Sequence, residues 1–192
     1  MIESLYHPTE SFFVGIAEIR NEHNLSMKEI LKLAQKNPDN IMAVQFLNSS
    51  LIAGTLHLVS AAQNALNAWL GQYAISRSLD VEIILYSSAQ RQISVALDQF
   101  GLKDRLDTVA LVLIGTEKKE IQTFLDRFEE QIGPFVFPPF ASSKERMDSI
   151  MEHFDISVLE ITALTSKSDI ESRWIALSKC VASRVSLVAV DS

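Results

Sequence analysis

An apolar, strand-like run followed by a helical repeat occurs four times in the first two thirds of this chain, and this alternation restricts the fold more than any other feature. The first run, Phe12–Arg20, reads FFVGIAEIR. It opens apolar and partly alternates from Ile16, as a half-buried strand does. Ser26 with Glu29 three residues on forms a capping box, and Met27, Ile30, Leu31 and Ala34 then recur at helical spacing. Residues 37–40, Asn-Pro-Asp-Asn, carry turn chemistry that ends this helix. Residues 41–47, IMAVQFL, read as a second strand, and Asn48-Ser49-Ser50 as a turn. Gly54 leads into a helix over Thr55–Leu70, which Gly71 terminates. Residues 81–86, VEIILY, read as a third strand, buried on both faces, before a helix over 89–100 stopped at Gly101. Residues 108–114, TVALVLI, are the fourth, followed by a helix over 116–131 whose Ile121, Phe124, Leu125 and Phe128 make an apolar stripe.

This order predicts an α/β fold in which a four-stranded mixed sheet is layered with helices. Every connection carries a helix, so parallel pairing is open, and a mixed sheet is equally allowed. Residues 133–140, GPFVFPPF, break the pattern, because three prolines forbid a regular helix and disfavour a central strand. Helical segments follow over 143–154, 157–164 and 168–188. The expected organisation is a single α/β domain over residues 1–192, with 142–192 as a helical tail packed on it.

The apolar share, 47% of 192 residues, is that of a globular protein, and such a length buries a sizeable core. The net charge of −7 argues against coating nucleic acid through bulk electrostatics, which needs clustered Lys and Arg. A small local site for an RNA end is compatible with it. One cysteine, Cys180, excludes an internal disulfide framework and suits a reducing compartment. No apolar run approaches the ~20 residues of a membrane span, and no secretory signal opens the chain, so the expected location is cytoplasmic, away from any membrane.

The constellations of enzymes are missing from the sequence. The six glycines never approach one another, so no phosphate-cradling loop exists. His7, His23, His57 and His153 are scattered singly, with only a weak His153-x-Asp155 pairing. Cys180 lies in an apolar-faced helix, where a thiol acts as a small hydrophobe, and no Gly-x-Ser-x-Gly elbow occurs. The expectation is a non-enzymatic protein without cofactor or metal.

Three features rise above this background. The helix Thr55–Leu70, TLHLVSAAQNALNAWL, is apolar on nearly all sides and requires burial on two of them, within its own fold or with a rim against a partner. Residues 87–93, Ser-Ser-Ala-Gln-Arg-Gln-Ile, place Ser88 as an N-cap and Arg91 in the first turn of a helix. A cation there opposes the helix dipole unless an anion binds beside it. Alternatively, Arg91 pairs with Glu82, Asp98 or Asp107. In the last helix, Ile170, Trp174, Leu177, Val181, Val185 and Val188 form a stripe that Ile175, Ala182 and Leu187 broaden, and the chain ends on the apolar SLVAVDS. This face either docks on the chain's own sheet or is covered by a partner.

The block VQFLN, HLVSAAQNALNA and SRSLDVEIILYSSAQRQISVALDQFGLKD, residues 44–103, resembles the archaeal form of the kinase-binding regulatory subunit family of the KEOPS tRNA-modification complex. The resemblance is carried by the strand of VQFLN type, the His-Leu helix start, and the unit running through residues 79–86, Ser88, Arg91-Gln92-Ile93, Ala96-Leu97 and Gly101-Leu102. Gln90 departs from the acidic residue of the pattern, and so does the long helical tail. The resemblance implies a non-catalytic subunit that binds and tunes an atypical kinase/ATPase, and through it meets the catalytic subunit that places threonylcarbamoyl on tRNA. It also implies a part in holding the tRNA acceptor end. On this reading the kinase interface comprises Trp174, Leu177, Val181, Val185, Leu187 and Val188. The tRNA contact comprises Arg91, with Gln90, Gln92, Arg77 and Ser88. The rivals are a small enzyme or binding protein for an anionic metabolite near Arg91, and a plain interaction module without an RNA role.

Overall fold

A computed structural model describes residues 1–35 and 40–189. The strands β1 (Ile2–Leu5), β2 (Phe12–Arg20), β3 (Ile41–Asn48) and β4 (Thr108–Gly115) form a four-stranded sheet in the order β1-β2-β4-β3. All three pairings are antiparallel, where a mixed sheet was expected. The reason lies in the β3–β4 connection. It returns the chain to the end where β3 finishes, so β4 starts at Thr108, sets Val109 beside Asn48 and runs back between β2 and β3.

The alternation of strand side chains sorts two cores. Val14, Ile16, Ala43, Leu47, Ala110, Val112 and Ile114 face one way, and Ala17, Ile19, Val44, Phe46, Val109, Leu111 and Leu113 face the other. The second face is covered by α1 (Met27–Leu33) and by α5 (Lys118–Ile132), whose Ile121, Phe124, Leu125 and Phe128 are buried as their spacing predicts. The capping box of Ser26 and Glu29 opens α1 as expected. The turn assigned to residues 37–40 lies, apart from Asn40, outside the described residues.

On the first face lie α2 (Thr55–Leu70), α3 (Leu79–Ser88) and α4 (Ile93–Phe100). Residues 81–86 are not a strand but the middle of α3, and the fourth strand is β1. The helix expected over 89–100 begins only at Ile93, and Ser88, expected as its N-cap, is the last residue of α3. The apolar helix α2 is confirmed at the expected limits, with Leu58, Ala61, Ala62, Ala65 and Leu66 buried.

The proline-rich segment occupies the sheet edge, where proline is tolerated. The Arg20 N–H donates to Pro134 O at 3.0 Å, and the Val136 N–H to Glu18 O at 2.8 Å, so residues 134–136 extend the edge that β1 leaves uncovered. Buried Glu18 accepts from the Phe140 N–H at 2.5 Å and from Arg146 Nη2 at 3.1 Å. This fixes the segment and the helix α6 (Lys144–His153) to the sheet. A buried carboxylate without both partners would be strongly unfavourable.

After α7 (Val158–Leu164), the final helix α8 (Ile170–Leu187) packs on the helices α2, α3, α6 and α7 rather than directly on the sheet. Its Leu177, Val181 and Val185 join the core that contains α2 and one sheet face. No helix among the described residues is long and apolar enough to cross a membrane.

Candidate functional site

The loop between α3 and α4 meets the end of α8, and this junction gathers most of the residues singled out above. Its local geometry begins with Ala89, which closes α3 in the left-handed region at φ 52°, ψ 34°. The Ala89 N–H donates to Tyr86 O and the Gln90 N–H to Leu85 O, as in the tight ends that satisfy last-turn carbonyls. Two histidines from other helices take the next carbonyls. His57 of α2 donates through Nε2 to Ser87 O at 2.8 Å, and His153 of α6 reaches Ser88 O through Nε2 at 3.3 Å.

His57 is fully buried against Phe100 and Phe154. Its Nδ1 accepts the Ala53 N–H at 3.1 Å, and a backbone N–H can only donate, so the proton of the neutral ring is on Nε2. Burial drives the His57 pKa down to about 4, against the smaller opposing effect of the Ser87 carbonyl. Burial also lowers the His153 pKa, and it pushes the Tyr86 hydroxyl up to about 12.

From this anchored loop Arg91 donates through Nη1 to Val188 O at 2.7 Å. None of the acidic partners considered for it is engaged; it caps the C-terminal end of α8. A cation there is favoured by the helix dipole, so the intrahelical conflict inferred from the sequence does not arise. Arg91 lies one residue before the α4 N-cap, Gln92, rather than inside the first turn.

The other expected tRNA contacts divide. Gln92 is exposed and Gln90 half-buried, both beside Arg91. Ser88 is fully buried, and its Oγ donates to Ile84 O at 2.8 Å within α3, so it cannot reach a nucleic acid. Arg77 is exposed and precedes α3, whereas Arg91 follows it, so the helix separates them in the chain.

The expected kinase interface divides more sharply. Leu177, Val181, Val185 and Val188 are buried in the chain's own core and are closed to a partner. Trp174 is half-buried, with its indole over Gly54, whose φ of 91° suits only glycine. Leu187 is 45% exposed, and so is much of Ile175. Of the terminal SLVAVDS, residues 190–192 lie outside the described residues.

Ile93 and Leu97, which carry the resemblance but were assigned to no interface, lie one turn apart on α4 and are both exposed. The Arg91–Val188 bond ties the loop just before α4 to the end of α8. The signal of Ile93 and Leu97 was present in the amphipathic spacing of α4, where Ala96 and Phe100 face inward. Among the described residues, no group of three or more His, Cys, Asp or Glu side chains is arranged to hold a metal ion.

A model of the family described as kinase binding protein CGI-121 matches residues 17–189. Among individually curated proteins, none matches the chain.

Proposed function

Because the chain belongs to the CGI-121 family of kinase-binding proteins, whose members are non-catalytic subunits, we propose that it is the regulatory subunit of a KEOPS complex. It binds and tunes the complex's atypical kinase/ATPase, and sits through that kinase beside the catalytic subunit. It also helps to hold tRNA for threonylcarbamoyladenosine modification in the cytoplasm. The observation that carries this reading is the span of the family match, which runs from within β2 to the end of α8.

The kinase docks at the end of α8, on Leu187 together with Ile93 and Leu97. All three are exposed apolar side chains on an acidic molecule, the kind of surface that association removes from water. Co-expression with the KEOPS kinase tests this directly: a complex that survives gel filtration is expected. Failure to form one would leave the plain interaction module, or a protein for an anionic metabolite at Arg91.

The acceptor end of tRNA meets the loop of Gln90, Arg91 and Gln92, because unpaired ends expose phosphates and bases that one small site can hold. The surroundings are not a basic stripe, since Arg77, Arg91, Lys103 and Arg105 stand against Asp80, Glu82, Asp98, Asp104 and Asp107. Affinity is therefore modest. Arg91→Glu is expected to flatten the salt dependence of tRNA binding by about one unit of log–log slope, and trimming the unpaired 3′ end should weaken wild-type binding. Equal binding of trimmed and whole tRNA would remove the RNA role and leave a docking regulator.

A further inference from the structure

The bond from Arg91 to Val188 joins the α3–α4 loop to a helix end 97 residues away in sequence, and the two sides differ in how firmly they are held. The loop side is fixed by three elements. His57 of α2 and His153 of α6 hold the carbonyls of Ser87 and Ser88, and α3 itself accepts the Gln90 N–H. The α8 side is a helix terminus, whose last carbonyls have no intrahelical donors and carry the negative end of the dipole. Such ends fray unless something ties them down. Leu187 immediately precedes the capped carbonyl; it is exposed while Val188 points into the core. That division between neighbours exists only while the last turn stays helical.

We propose that Arg91 is a positioning residue for partner docking: its guanidinium, held by the rigid loop, caps the last turn of α8 and so presents Leu187 in a fixed orientation. The inference rests on the reading that the kinase docks at the end of α8. It assigns Arg91 a part in that docking without requiring it to touch the kinase. Lysine carries the same charge on a different head group, whereas here one guanidinium nitrogen, Nη1, reaches the Val188 carbonyl.

The test combines amide exchange with affinity. In Arg91→Gln, the last-turn amides of α8, residues 185–188, should exchange about fivefold faster, while the other peptides and the melting temperature stay as in wild type. Affinity for the purified kinase should fall by a similar factor, and Arg91→Lys should recover part of both. Unchanged exchange in Arg91→Gln overturns the inference, whatever happens to affinity, since Arg91 would then act by direct contact or not at all. Faster exchange with unchanged affinity overturns it as well. Leu187→Glu, measured in parallel, separates the two levels. Retained kinase binding there overturns the docking site itself, whereas lost binding alongside an indifferent Arg91→Gln overturns only the role of Arg91.

Discussion

Leu187→Glu is expected to abolish co-purification with the kinase and leave the fold intact, whereas Val188→Glu, one residue further on, is expected to compromise the fold itself. Leu187 is 45% exposed, so a glutamate there meets water in the free protein at little cost. In a complex the same carboxylate replaces an apolar anchor, which can carry ~2 kcal/mol or more, and must also be desolvated. Together these reach about 4 kcal/mol, close to a thousandfold in affinity. Val188 is 3% exposed and belongs to the core of α2 and α8. Replacing it removes ~2 kcal/mol of apolar burial and forces a carboxylate into that core, for a total of roughly 4 kcal/mol. That is a large part of the stability of an ordinary domain. Pull-down with the kinase and thermal unfolding of each variant alone distinguish the two. Retained binding by Leu187→Glu, or an unaltered melting temperature for Val188→Glu, would contradict the assignment of inner and outer faces at the end of α8.

These neighbours also show what could be read from the sequence. Spacing identified α8 as a broad apolar face, but a broad face at helical period does not say whether the chain or a partner covers it. Leu177, Val181, Val185 and Val188 proved to be core, and only packing against α2 could reveal that. Strands β2, β3 and β4 were legible because their runs are short and bounded by turn chemistry. Residues 81–86 were not, because α3 is buried from Glu82 to Ser88 and an all-round apolar helix shows neither period. The useful signal was acidic: Asp80 and Glu82 lie in the first turn of α3, and buried Glu82 accepts the N–H groups of Ile75 and Ser76 at 3.2 and 2.8 Å. A strand would have placed that carboxylate beside Ile84 and Tyr86 with no donor. Strand β1 was missed because an edge strand with exposed Glu3 and Ser4 has almost no apolar pattern. The partner of Arg91 was beyond any sequence argument, since a backbone carbonyl carries no residue signature.

Acid is expected to weaken the fold through His57 before the carboxylates titrate. His57 is 0% exposed, and its Nδ1 already accepts the Ala53 N–H, so a second ring proton would break that bond and bury a charge. Its folded-state pKa of about 4 lies below the ordinary 6.5. The unfolded chain therefore takes up the proton first, and stability is complete above pH 6.5 and lost as pH falls from there towards 4. At about 1.4 kcal/mol per pH unit, the loss reaches a few kcal/mol by pH 4.5. His153, also depressed by burial, adds in the same direction. The carboxylates of Glu29, Glu160 and Asp169, held below their usual range by capping hydrogen bonds, contribute only below about pH 4.5. Urea unfolding at half-unit steps from pH 7.5 to 4.5 gives the profile. His57→Gln should be less stable than wild type at pH 7.5, because one ring's packing and two hydrogen bonds are altered, yet its stability should fall far less on acidification, so the two curves converge. Parallel curves would mean that His57 does not titrate with the fold.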